Sequence, residues 1–364
     1  MSFDSFLGNE KAVRTVRDML ARGRVPGSML FTGPEGVGKK TLAMMLSKAL
    51  NCAEPGAEGS DFCGECDRCR RADDFLASGA EDAARRREIK DAHRRVEGLV
   101  YFDIQLIEPL TRYILIEQIR QLRATAYNQP FHLPRRVFII DQAQAIHWQA
   151  ADLLLKVLEE PPATTTLILI CPQAYELRST IRSRCFTLQF APVEETVIER
   201  ILGEERGFTK PQQALAARVV QGSIARAQTF DLNDFLLRRK PWLDFLDLVA
   251  RPHSRPLAPG EWKTLFDTTK SLVTDSGGAE QTLKVGSGIL QDLMQVIEEE
   301  KSPRVTHVDL VPRLKAWSQA LGMAGIEKLA AGIEDIYRQQ IRNANQQLSL
   351  DSLASNLLSS ATGP

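Results

Sequence analysis

A glycine-rich loop of the form G-x-x-x-x-G-K, set between a short apolar strand and a helix, restricts what this chain can fold into more than any other feature. The strand is Ser28-Met29-Leu30-Phe31, the loop is Gly33-Pro34-Glu35-Gly36-Val37-Gly38-Lys39, and the helix carries Leu42, Met45, Leu46 and Leu50. Glycines let backbone N–H groups turn inward around phosphates, the helix start adds its positive dipole end, and the lysine reaches the terminal phosphates. Gly33, Gly36, Gly38 and Lys39 therefore form a candidate nucleotide cradle. Further strands are expected at 103–107, 137–140, 167–170 and 186–190, with helical spacing of apolar residues between them. Strands alternating with helices predict an α/β module: a parallel sheet with helices on both faces.

The hydrolytic parts of such a site are incomplete. The position after Lys39 should be Ser or Thr to ligate Mg²⁺, and it is Lys40. Thr41 lies one residue later, about 100° around a helix and about 1.5 Å along it, so it is no automatic replacement. The strand 137–140 ends in Asp141, where a metal-holding aspartate belongs. The next residue is Gln142, an amide that cannot accept a proton as a carboxylate does. The strand 167–170 runs into Cys171-Pro172, where a small polar side chain would sense the γ-phosphate. Gly33, Gly36, Gly38, Lys39, Thr41 and Asp141 thus make up a degenerate nucleotide site. Two readings stand side by side: a loop kept for packing, and a loop that still binds nucleotide without cleaving it, so that ATP with Mg²⁺ is the cofactor in question.

At 364 residues the chain has room for two or three domains. After Pro192 the strand signals stop, and the remainder reads as helices, with Val197, Ile198, Ile201 and Leu202 and later Trp242, Phe245, Leu246 and Val249 at helical spacing. Gly222-Ser223 and the cluster Asp231-Leu232-Asn233-Asp234 predict a second boundary near 232, and a Pro/Gly-rich loop runs over 252–260. The 46 Lys and Arg balance the 46 Asp and Glu, which argues against a protein that coats nucleic acid. No basic start leads into an apolar stretch and no window nears ~20 apolar residues, so no membrane partner is expected and the expected location is cytoplasmic.

In a reducing compartment the six cysteines are not read as disulfides. Cys63, Cys66 and Cys69 are each separated by two residues, and Cys52 stands upstream. Four thiols in this pattern fit a closed tetrahedral Zn²⁺ site, structural because it leaves no open position for chemistry. The competing reading is a set of reduced free thiols. Cys171 and Cys185 stand alone in apolar surroundings.

Four blocks then point to a family. Phe6-Leu7-Gly8-Asn9-Glu10, the stretch from Leu30 to Thr41, Leu154-Leu155-Lys156-Val157-Leu158-Glu159-Glu160-Pro161-Pro162 and Thr180-Ile181-Arg182-Ser183-Arg184-Cys185 together resemble the bacterial DNA polymerase III clamp loader, an AAA+ assembly. The resemblance covers residues 3–230 strongly and the remainder weakly. It implies an α/β AAA+ P-loop module over 1–191 with a zinc-binding module at about 52–69, a small helical lid over 192–232, and an all-α collar over 233–364. Through the collar five subunits, gamma/tau and delta among them, would form an open ring that loads a sliding clamp onto primer-template DNA. The damaged ATP site resembles the delta-prime type of subunit, a non-hydrolysing stator. The alternative is a catalytically active gamma/tau-type ATPase, which would be expected to keep the Mg²⁺-binding Thr and a Walker-B glutamate. A third class, a zinc-containing nucleic-acid binder acting alone, is opposed by the zero net charge.

Within the same resemblance, Arg226 in Gln221-Gly222-Ser223-Ile224-Ala225-Arg226-Ala227 takes the place of the lid arginine, with a plain surface charge as its other reading. Arg184 is expected at the subunit edge, after a helix over 177–183, acting as an arginine finger on a neighbouring subunit's γ-phosphate, with Arg182 as the internal control. The strongest basic run, 85–95, is expected as a solvated helix face, with DNA or partner contact second. Gln347-Leu348-Ser349-Leu350-Asp351 superficially resembles a clamp-binding peptide, but Leu350, Leu353 and Leu357 behind Asn345 predict a capped last helix instead. His132, His147, His253 and His307 have no partners at metal spacing and receive no role.

Overall fold

The computed structural model describes residues 2–56, 59–91, 93–250, 258–273, 279–299, 304–340 and 346–360. Helix α1 (Glu10–Ala21) leads to β1 (Ser28–Thr32), α2 (Lys39–Ala49) and α3 (Asp67–Glu88). Then follow β2 (Ile104–Ile107), α4 (Ile116–Ala126), β3 (Arg136–Ile140), α5 (Trp148–Glu159), β4 (Thr165–Cys171), α6 (Ser179–Arg182) and β5 (Phe186–Gln189). The five strands pair in the order β2-β3-β4-β1-β5, all in parallel. β1 to β4 are buried at every residue, so both sheet faces are covered and the apolar runs need no alternation. β1 lies between β4 and β5; its connection runs toward β2 at the far edge, whereas that of its neighbour β4 runs past it to β5, so the two connections leave in opposite directions. The carboxyl ends of the strands at such a point open a ligand crevice.

Each expected strand is present to within two residues at either end. The helix expected over 177–183 is only the short α6, because Arg178 is extended (ψ 141°) and separates it from a 3₁₀ turn at Ala174–Glu176. In the basic run Arg85, Arg87, Lys90 and Arg94 are exposed as expected, but Arg86 and Arg95 turn inward. Arg86 is buried and donates to the carbonyls of Arg95, Glu97 and Gly98, while Arg95 donates to those of Ile89 and Leu110. The irregular chain after α3 leaves carbonyls without ladder partners, and a guanidinium with five donors satisfies several at once.

Helical elements complete the chain: α7 (Glu195–Glu204), α8 (Lys210–Val220), α9 (Ile224–Thr229), α10 (Leu232–Val249), α11 (Pro259–Val273), α12 (Ala279–Glu298), α13 (Val311–Gln340) and α14 (Gln346–Ser360). The chain divides into two compact units, Met1–Ile198 with Gln221–Arg226, and Glu199–Val220 with Ala227–Pro364. In the second unit Trp242, Phe245, Leu293, Trp317 and Ile336 share one core, and Asp231 caps α10 by accepting from the N–H groups of Asn233 and Asp234. His307 is buried there with its Nδ1 2.7 Å from Asp292. α14 buries Leu350 and Leu357, as the apolar spacing requires. Its expected cap Asn345, His253 and residues 251–257 of the expected Pro/Gly-rich loop lie outside the described residues, whereas Pro259 and Gly260 open α11. No helix among the described residues is long and apolar enough to cross a membrane.

Candidate functional site

β1 ends at Thr32 and the chain turns at Gly33, where φ is 142° and an added Cβ would stand 2.3 Å from the Phe190 carbonyl oxygen. At Gly36, φ is 75° and a Cβ would stand 2.0 Å from Ser223 Oγ. Residues 221–226 thus pack directly on the loop, and Ala225 donates its N–H to the Gly36 carbonyl at 3.2 Å. Gly38 caps α2 in left-handed backbone. Lys39 does not project from this cradle. Its buried Nζ folds back and donates to the carbonyls of Gly33 and Pro34, the second at 2.6 Å. Burial lowers the Lys39 pKa, against the opposing pull of Asp141 and Glu35.

Lys40 turns toward the carboxyl ends of β2 and β3. Its Nζ lies 2.5 Å from Glu108 and 3.5 Å from Asp141. The other Glu108 oxygen accepts from Arg87 in the last turn of α3, and Arg87 Nε donates to the Pro109 carbonyl at 3.2 Å. Burial pushes the Glu108 carboxyl up, yet Lys40 and Arg87 hold it below its ordinary value. Two carboxylates at strand ends beside a phosphate loop suit a hard divalent cation. Here an ammonium stands between them. Thr41 and Gln142 are both exposed, and Gln142 reaches this group only through its backbone N–H, which donates to Asp141 Oδ1 at 2.9 Å. Cys171 is buried at the end of β4, where burial raises its thiol to about 11 and its Sγ donates to the Gln173 carbonyl.

Glu108 and Arg87 are absent from the sequence-based assignment. A signal for Glu108 existed: it follows an apolar strand directly, as Asp141 does, and β2 pairs with β3 with Ile107 opposite Ile140. Nothing in local spacing marks Arg87, which arrives from a helix that the basic run alone does not position.

The four clustered thiols do come together. The Sγ atoms of Cys52, Cys63, Cys66 and Cys69 all lie within 4.8 Å of one another, with Cys52 3.6 Å from Cys63 and 3.9 Å from Cys66. A tetrahedron with ~2.3 Å metal–sulfur bonds has edges of ~3.8 Å, so the set fits Zn²⁺. The N–H groups of Cys63 and Cys66 point at the sulfurs of Cys52 and Cys63 at 3.4 and 3.3 Å, the outer-shell pattern that steadies thiolates. Burial works against the Cys66 thiolate, but the N–H groups of Ala53 and Cys69 outweigh it and bring that thiol to about 6. The module is anchored by Phe62, edge-on to Phe3 at 5.4 Å, and by Asp61, which accepts from the Phe3 N–H and from Arg17.

Arg184 emerges in the turn between α6 and β5. Its Nε lies 2.6 Å from Glu159 Oε1, its Nη2 contacts the same oxygen, and its Nη1 donates to the Thr180 carbonyl at 2.8 Å. With Leu158 and Ser183 these two residues line an open cleft of about 410 Å³. Arg182 is exposed. Arg226 is exposed next to Ala225, its N–H bonded to Ser223 Oγ.

Residues 8–194, a little over half of the chain, match the family described as DNA polymerase III, delta subunit. The chain is similar to DNA polymerase III subunit tau of Escherichia coli (strain K12), 30% identical over 233 residues that cover 62% of this chain and 32% of that protein. It is similar to subunit delta' of Bacillus subtilis (strain 168), 28% identical over 224 residues that cover 62% of this chain and 59% of that protein. These regions are about a third and about three-fifths of the relatives' own lengths. A solved gamma subunit-related protein of Thermotoga maritima superposes with a TM-score of 0.46 at 14% identity, covering 96% of this chain and 99% of that one, a likeness that bears on neither activity nor partners.

Proposed function

The chain belongs to the DNA polymerase III delta subunit family, clamp-loader proteins of the AAA+ class, and from that premise we propose that it acts as a non-hydrolysing, delta-prime-type stator. The observation that carries this reading is Lys40. Its ammonium bridges Glu108 and Asp141, where a divalent cation would assist phosphoryl transfer. Lys39 is engaged by its own loop, and Gln142 supplies no carboxylate to polarise water. Of the two readings of the loop, these contacts favour packing over ATP and Mg²⁺ binding. The tau relatives are as similar in sequence as the delta' one, but a gamma/tau-type ATPase would need the hydroxyl and the glutamate that this site lacks.

The organisation we propose has the P-loop module at 1–191, the lid at 192–232 and the collar at 233–364, assembled in the cytoplasm with gamma/tau and delta subunits in a five-membered ring. Sliding clamp and primer-template DNA are met through the assembly. Zn²⁺ at Cys52, Cys63, Cys66 and Cys69 would supply a structural cross-link and nothing catalytic. Arg184 serves a neighbour: a fixed guanidinium near a transferred phosphoryl is worth ~10³–10⁵ in rate where an arginine finger is used. The test is reconstitution with the other clamp-loader subunits and measurement of ATP hydrolysis. Arg184→Ala is expected to leave assembly intact and to lower hydrolysis at least about tenfold, while Arg182→Ala does not. A fully active complex with Arg184→Ala would remove the finger role.

A further inference from the structure

We propose that Glu159 is a positioning residue that parks Arg184 within its own chain, so that the guanidinium engages a phosphate only by exchanging one anion for another. This rests on the finger reading above and adds the partner from which the finger must be taken. A guanidinium has five N–H donors. Arg184 Nε and Nη2 both meet Glu159 Oε1, and Nη1 meets the Thr180 carbonyl at 2.8 Å and Ser183 Oγ at 3.3 Å. Four donors are thereby used, and one on Nη2 remains. A phosphoryl group arriving at the cleft beside Leu158 and Ser183 must therefore displace the carboxylate to gain a two-point contact.

The placement of Glu159 makes the parking contact purposeful. Glu159 is the last residue of α5 and Glu160 follows it, so a carboxylate stands at the negative end of a helix dipole beside a second carboxylate. Neither feature favours an anion there. Arg184 is the cation that compensates, and it joins the Leu-Glu-Glu-Pro-Pro block to the Ser-Arg-Cys block across 25 residues of sequence. The pair is also weak enough to open. Its side chains are 32% and 48% exposed, and exposed ion pairs are held by little more than thermal energy. The occupant that competes is the terminal phosphate of a nucleoside triphosphate held by a second polypeptide. Parking lowers the fraction of competent finger, and the apparent dissociation constant is the intrinsic one divided by that fraction.

The experiment is steady-state ATP hydrolysis by the reconstituted complex as a function of ATP concentration, with wild type, Glu159→Gln, Glu160→Gln, Arg184→Ala and the Glu159→Gln/Arg184→Ala pair. Glu159→Gln is expected to lower the half-saturating ATP about two- to fivefold without lowering the maximal rate. In the Arg184→Ala background the same change is expected to do nothing, and Glu160→Gln is expected to do nothing in either. If Glu159→Gln raises half-saturation, acts equally without Arg184, or is matched by Glu160→Gln, parking is wrong. An Arg184→Ala complex at full rate would instead remove the underlying finger reading, which separates the two failures.

Discussion

Where a phosphate loop of this form would carry a hydroxyl, this chain carries the ammonium of Lys40. Lys40 lies beside Glu108 and Asp141, and Arg87 completes the balance of charge from α3. Glu108 is the group whose protonation reports on this cluster. Its folded carboxyl is held below the ordinary value of 4.5, so the stability it contributes is present above that value and lost as pH falls from there through the lower folded value. Glu108→Gln is expected to cost about 1–2 kcal/mol near neutral pH, measured by denaturant unfolding, with the deficit shrinking as pH drops below 4.5. A deficit that grows on acidification would mean that Glu108 is not the paired carboxylate. The missing Mg²⁺ ligand was legible from the sequence because motif spacing is local. The ammonium's destination was not, since Glu108 is brought to Lys40 by sheet pairing and not by proximity along the chain.

At the scale of elements, the strands were legible because β1, β3 and β4 read as apolar runs bounded by polar or turn residues, and their parallel pairing buries both faces. α3 was not, because its basic end looks like a solvated face until the carbonyls of 89–110 are seen to need donors. α3 also begins at the thiol cluster: Cys66 is its N-cap and Cys69 lies in its first turn. A metal at the four sulfurs would fix that helix start, and the opposite end of α3 delivers Arg87 to Glu108. Protein purified without added zinc is expected to carry one Zn²⁺ per chain. Cys66→Ser is expected to abolish it and to lower the unfolding temperature, as read by metal analysis and thermal melting. Metal content near zero in the wild type, or unchanged in the variant, would refute the assignment.

For the whole molecule, the chain divides into two compact units. One carries the sheet, the loop and Arg184, and the other is built from helices around Trp242, Leu293 and Trp317. The helical character of the second unit was legible in its apolar spacing. Its polar anchor was not: His307 and Asp292 lie 15 residues apart on separate segments and meet only through packing. A non-hydrolysing site follows if the loop carbonyls engage Lys39 while Glu108 and Asp141 engage Lys40. ATP hydrolysis by the isolated chain with Mg²⁺ tests this most directly. A non-hydrolysing chain turns over ATP no faster than its Lys39→Ala variant; robust hydrolysis that Lys39→Ala abolishes would overturn the stator reading.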